Sequence, residues 1–221
     1  MLKSFIIAAL IAIEFSNINA EQKIRFSVFV NPCINWLQSD IQSVNSGSPA
    51  IGFDAGLTVD KYFTDYYAFS SGVSISSLGG NLKYSHLGGT TFNTKGRGEV
   101  TINDGATVKY KLQYITVPLG LKLKTKQIGY FTYFANLGFN LQMNIKATGT
   151  SDDGNLNDNI SSEINLFNLG YFFGAGAEYS IGGNTALVFG LTYTNGFTDI
   201  TQNDNAKITT AGFALRLGLM F

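Results

Sequence analysis

From Lys207 to Phe221 the chain alternates with a period of two. Phe213, Leu215, Leu217, Leu219 and Phe221 fall on one side, and Gly212, Ala214, Arg216, Gly218 and Met220 fall on the other. Successive side chains of a strand point to opposite faces, so the segment predicts a strand with one large apolar face and one small face carrying an arginine. Alternation fits two environments. In a soluble sheet the large residues pack a core, whereas in a membrane they face hydrocarbon and the small face lines an interior. The apolar row here runs to Phe221 with no polar residue after it, which points to hydrocarbon.

The opposite end predicts the compartment. Met1-Leu2-Lys3 is a short basic start, Phe5 to Ile13 is an apolar run too short to cross a bilayer as a helix, and Ala20 is a small residue before Glu21. Residues 1–20 are therefore expected to be a signal peptide and residues 21–221 one mature domain. Glu14 is the residue that speaks for a buried N-terminal segment instead. No cysteine follows Ala20 directly, so no lipoprotein anchor is expected, and Cys33, the only cysteine, has no intramolecular disulfide partner.

Composition narrows the class. Fifteen acidic and fifteen basic residues cancel, where a nucleic-acid binder would show a basic excess. After the leader no run of 18 apolar residues appears, so no transmembrane helix is expected. Lipid leaves open sheet edges unsatisfied, and a membrane form of this chain must be a closed sheet.

Seven further segments alternate like the last. Strand one is expected at about Lys23 to Asn31, ended by Asn31-Pro32. Strand two runs about Ala50 to Tyr62, with Ile51, Phe53, Leu57 and Val59 opposite Gly52, Asp54, Gly56 and Asp60. Strand three covers about Tyr66 to Ser77. Strand four covers about Val108 to Lys124, with Ile115 to Leu123 outward and Lys122 and Lys124 inward. Strand five starts at Phe131 and alternates to Lys146, strand six runs about Ile164 to Ser180, and strand seven about Thr185 to Asn195. Gly182-Gly183-Asn184 has the residues of a hairpin turn. The predicted fold is all-β: an eight-stranded antiparallel up-and-down transmembrane β-barrel.

Connections after strands two, four and six are short, and those after one, three, five and seven are long and polar. Outer-membrane barrels have short periplasmic turns and long extracellular loops, which predicts both termini on the periplasmic side. The longest connection, Leu78 to Thr107, is expected to extend strands three and four above the membrane. Tyr62, Phe63, Tyr66, Tyr67, Tyr130, Phe131, Tyr133, Tyr179 and Phe221 are expected to form a girdle at the inner interface.

Two segments resemble known proteins. Phe213 to Phe221 resembles the C-terminal strand of outer-membrane barrels, which the barrel-assembly machinery reads. Leu112-Gln113-Tyr114-Ile115-Thr116-Val117-Pro118-Leu119-Gly120-Leu121-Lys122 is similar to a strand of the outer-membrane β-barrel domain family common in Bacteroidota, the PorT-like proteins. Thr116 and Val117 stand where that family more often has Glu and Ile. The resemblance implies the barrel fold and outer-membrane lipid as surroundings. The PorT-like branch is associated with type IX secretion, a role that nothing in these residues carries over. Pro118 is expected to mark a β-bulge.

The inward rows collect a charge network: Arg25, Asp54, Asp60, Lys122, Lys124, Glu178 and Arg216. An eight-stranded lumen is just wide enough for side chains to fill, and buried charges must be paired. The expectation is a plugged lumen, with a narrow ion path as the competing reading. Catalysis by a histidine base has one candidate, His86 beside Ser85 in the longest loop, with no residue to orient it. Cys33 is expected to be a small apolar filler. Asp152-Asp153-Gly154 with Asp158 lacks EF-hand spacing, and no metal or cofactor is assigned. The expected function is a non-catalytic outer-membrane barrel that binds an extracellular or secretion-complex protein through its long loops. The alternatives are a narrow channel or an accessory of an outer-membrane secretion assembly, then a lipid-modifying enzyme or a secreted lipocalin-like binder.

Overall fold

The computed structural model describes residues 23–85, 88–202 and 206–221. The expected signal peptide, residues 1–20, and His86 lie outside them. The strands are β1 (Ile24–Ser39), β2 (Val44–Tyr62), β3 (Tyr67–Tyr84), β4 (Thr90–Thr94), β5 (Gly98–Ile102), β6 (Thr107–Lys124), β7 (Phe131–Ser151), β8 (Asn157–Asn159), β9 (Phe167–Gly182), β10 (Thr185–Gly196) and β11 (Ile208–Met220). Among the described residues the helical structure is a 3-10 turn, Ser161–Glu163, and no helix is long and apolar enough to cross a membrane.

Eight strands close a ring in the order β1-β2-β3-β6-β7-β9-β10-β11, each antiparallel to the next, with β11 back against β1. Closure leaves no sheet edge to satisfy, which is what hydrocarbon demands. Tight connections join β2 to β3, β6 to β7 and β9 to β10 at one end, here the turn end. The β9–β10 turn works because Gly182 and Gly183 take φ of 125° and 58°, values that side chains with a Cβ rarely adopt. Phe221 lies at the same end, exchanging backbone hydrogen bonds of 2.9 and 3.0 Å with Phe26. The other end, the cap end, holds the remaining connections, with β4 and β5 forming their own hairpin and β8 pairing with the end of β7.

The predicted faces are present. Phe213, Leu215, Leu217 and Phe221 are exposed and Leu219 is half-buried on the outer surface, as are Ile24, Phe26, Val28 and Val30 of β1 and Leu121 and Leu123 of β6. A water-soluble monomer rarely exposes contiguous apolar surface on this scale; a bilayer covers it.

Five expectations need correction. β1 does not end at Asn31-Pro32 but runs on to Ser39. Pro32 still pairs with Phe53 of β2, while the β11 ladder skips from Val30 to Cys33. In an antiparallel ladder a residue bonds to one neighbour only, so proline removes bonds on one side and leaves the other intact. The connection after β1 therefore shrinks to residues 40–43, and the loops are not strictly sorted short and long. Pro118 does not mark the bulge: it pairs with Asn140 in steady register, and the shift lies at Gln113/Tyr114. Tyr62 is not in the girdle. It shares the inward parity of Asp60 and is buried in the lumen, 5% exposed. Strand six begins at Phe167 rather than Ile164.

Candidate functional site: the barrel interior and its cap

The interior changes character in layers along the axis. Nearest the turn end, Phe134, Val188 and Met220 pack together as a small apolar cluster. Gly176 makes room for it, since a Cβ there would stand 2.7 Å from the tip of the Phe134 ring. Lys124 Nζ sits 4.1 Å from the centre of the Tyr62 ring. Arg25 points to this mouth, donating from Nη2 to the Asn184 carbonyl of the β9–β10 turn at 2.8 Å.

The next layer carries the charge network. Lys122 Nζ lies 2.7 Å from Asp60 Oδ2 and 2.6 Å from Glu178 Oε1, tying β6 to β2 and β9 across the lumen. The contact to Asp60 is an aligned hydrogen bond, and that to Glu178 is an ion-pair contact. Phe134 offers its ring to the same ammonium at 5.0 Å. Ser70 adds a hydroxyl to Asp60 at 2.6 Å. All three charged side chains are buried, so each depends on the others.

The remaining predicted charges do not join this cluster. Arg216 lies over the Phe29 ring at 5.1 Å and donates from Nη2 to Thr58 Oγ1 at 3.1 Å. Asp54 accepts from Asn31 at 3.1 Å and from Ser76 at 2.8 Å. Of the seven residues, Asp60, Lys122 and Glu178 are thus brought together, and Arg25, Asp54, Lys124 and Arg216 take separate partners.

Above the ion pairs lies a feature the sequence reading missed, a cavity of about 110 Å³ lined by Asn31, Asn35, Asp54, Asn136, Gln142 and Arg216 together with Phe29 and Phe172 among others. Cys33 also lines it and accepts a hydrogen bond from Asn35 at 3.1 Å. The signal was the size of the inward residues: Ser, Thr, Asn and Gly fill less of the barrel than the charge count suggested.

Toward the cap end the inward rows turn apolar. Leu37, Leu82, Val108, Tyr110, Leu112 and Tyr114 continue the lumen face and form one core with Phe92 and Ile102 of the β4–β5 hairpin and with Leu156 and Ile160. The Tyr84 and Tyr110 hydroxyls hydrogen-bond within it. This core fills the lumen on the cap side of the cavity.

The acidic loop after β7 pins the β5–β6 connection to the barrel. Asp152 accepts the Thr107 N–H and Asp153 the Asn103 N–H, both at 2.8 Å, and Glu163 accepts the Asn93 N–H at 2.7 Å. The Asn103 N–H and the Ser151 hydroxyl hold the Asp153 carboxyl below the ordinary carboxylate range. The Asn159 N–H does the same for Asp158, which faces Arg97 at 3.7 Å. Among the described residues no group of three potential ligands could hold a metal ion.

A closed eight-stranded barrel with an apolar outer belt and a filled interior defines a small membrane barrel. Residues 15–202 match the family described as outer membrane protein beta-barrel domain, and the chain belongs to that family, whose members reside in the outer membrane. A search of curated proteins found no match. Among solved structures, Neisserial surface protein A is similar at 14% identity and a TM-score of 0.49, covering 88% of this chain and 95% of that one. Ail of Yersinia pestis is similar at 13% identity and a TM-score of 0.43, covering 89% and 98%. OprG of Pseudomonas aeruginosa stands at 15% and 0.40, covering 93% and 99%. At these scores the likenesses add nothing to the topology already described.

Proposed function

We propose that this protein is a non-catalytic outer-membrane barrel that does not conduct, sits with its cap outside the cell and its termini in the periplasm, and works by binding through the cap. The observation that carries the reading is the double closure of the lumen, by the Lys122 ion pairs below and by the apolar core around Leu112 above. Solute flow would require breaking both. Planar-bilayer recordings of the folded protein test it: silence is expected, and reproducible conductance steps would return the narrow channel to first place. Replacing the β4–β5 hairpin tip with a short glycine turn should abolish surface binding or partner recovery, and unchanged binding would remove the cap from the function.

The finer family placement, among PorT-like barrels, rests on the Leu112 to Lys122 segment. It favours a second reading, an accessory of an outer-membrane secretion assembly. Co-purification with secretion components from detergent-solubilised membranes would support it, and their absence under conditions that preserve the assembly would sink it.

A further inference from the structure

Charge on the outer wall is distributed unevenly. β3, β6 and β7 are adjacent in the ring and contain not one aspartate or glutamate along their whole lengths. At their cap ends the outward positions carry Lys83 on β3, Lys109 and Lys111 on β6, and Lys146 on β7, all exposed. The register makes them neighbours. Lys109 stands opposite Asn81, one step diagonal from Lys83, and Lys146 stands opposite Gln113, one step diagonal from Lys111. Among the described residues none of the four has a carboxylate within ion-pair distance. The other wall lacks such a patch: β1, β9, β10 and β11 present no lysine or arginine outward, and β2 presents only Lys61, near the turn end.

The height of the patch matters as much as its sign. Ile75, Ile115 and Ile145 end the apolar belt on these strands; Lys146 follows Ile145 directly, Lys111 and Lys109 lie four and six residues beyond Ile115, and Lys83 lies eight beyond Ile75. With about 3.4 Å per residue and a strand tilt near 40°, the four stems spread from the hydrocarbon edge to roughly 20 Å above it. Headgroup phosphates lie within the lower part of that span, and long ammonium side chains reach toward them while keeping their stems on the barrel wall.

We propose that Lys83, Lys109, Lys111 and Lys146 form a docking surface for a phosphorylated glycolipid of the outer leaflet, engaging its phosphates from three neighbouring strands. The leaflet assignment rests on the cap-outward orientation proposed above; the surface itself does not. Four uncompensated charges spread over three strands suit a headgroup with more than one phosphate.

The test uses the full mature protein folded in detergent, incubated with doubly phosphorylated lipid A, with its dephosphorylated form, or with lipid A plus inorganic phosphate. Retained lipid is read by native mass spectrometry. Lipid A should be retained and the dephosphorylated form lost at least tenfold more readily, and millimolar inorganic phosphate should not displace it. K83Q/K109Q/K111Q/K146Q should lose retention at least tenfold while keeping its heat-modifiable band, and K61Q/K126Q, which removes charge at the turn end, should behave as the parent. Equal retention by the quadruple variant, equal retention of the dephosphorylated lipid, or displacement by inorganic phosphate would overturn the docking surface. Orientation is read separately with an impermeant maleimide on intact cells expressing R97C in a C33S background. Labelling supports the outer leaflet. No labelling together with lipid retention would overturn the leaflet assignment alone.

Discussion

β6 is one unbroken strand that lives in two solvents. From Ile115 to Leu123 its large apolar residues are the odd ones, facing out, while Thr116, Pro118, Gly120 and Lys122 face in. From Lys109 to Tyr114 the phase is reversed: Tyr110, Leu112 and Tyr114 are buried inside, and Lys109 and Lys111 are outside. The strand does not flip. The surroundings do, since hydrocarbon covers the outer face of the lower half and water covers the outer face of the upper half. β3 repeats the reversal, with Val73 and Ile75 outward below and Leu82 and Tyr84 inward above. The change of phase marks the waterline, and it teaches that the lower half is organised by what lies outside it and the upper half by its own core.

That contrast predicts different responses to damage. The largest effect is expected at Lys122. Lys122→Met leaves Asp60 and Glu178 buried without their cation, which should lower stability by about 3–5 kcal/mol, read as the urea midpoint of unfolding from lipid vesicles. Replacing all three together with Met and Leu should recover most of it, because a paired charge cluster and an apolar one of similar volume differ little. A single substitution with no effect would mean the pairs are reached by water.

Leu112→Ala opens a cavity in a packed core and should remove about 2–5 kcal/mol from the cap, seen as faster proteolysis of the β4–β5 hairpin while the heat-modifiable barrel band persists. Loss of the barrel band at the same time would show that cap and barrel unfold as one unit. Leu121→Ala, on the same strand but facing lipid, leaves no cavity because fluid chains fill the space. It should cost only the transfer difference, about 1–2 kcal/mol, and leave hairpin proteolysis unchanged.

The smallest effect is expected from acid. Hydrogen bonds lower the Asp153 pKa in the folded cap, so the stabilisation it supplies is complete above its ordinary value near 3.9 and is lost as pH falls through the lowered folded value. Hairpin proteolysis by an acid protease should rise below about pH 4 in the parent, and Asp153→Asn should flatten that rise. An unchanged pH profile in the variant would assign the acid response to another carboxylate.

Most of the barrel was legible in the chain. A period of two with large residues on one face is a local pattern, so β10 and β11 could be read residue by residue and β7 as far as Asn144, beyond which the bulge turns Lys146 outward, and Lys122, Asp60 and Glu178 could be assigned inward by parity. Tyr62 shares the parity of Asp60 and so faces inward despite its aromatic character. The phase reversal in β6 was also present, but the apolar residues above it could be taken for an irregular loop end.

Local sequence thus determines which face of each strand is apolar, where the turn-end glycines bend the chain and which charges share the lumen, because these depend on neighbours one or two residues away. Only the tertiary structure decided that β1 continues past Pro32, that Lys122 gathers two of the other six lumen charges while Arg216 rests on Phe29, and that the loops close over an apolar core. Those outcomes depend on strand register and on which residues meet across the lumen, distances that close only when the ring does.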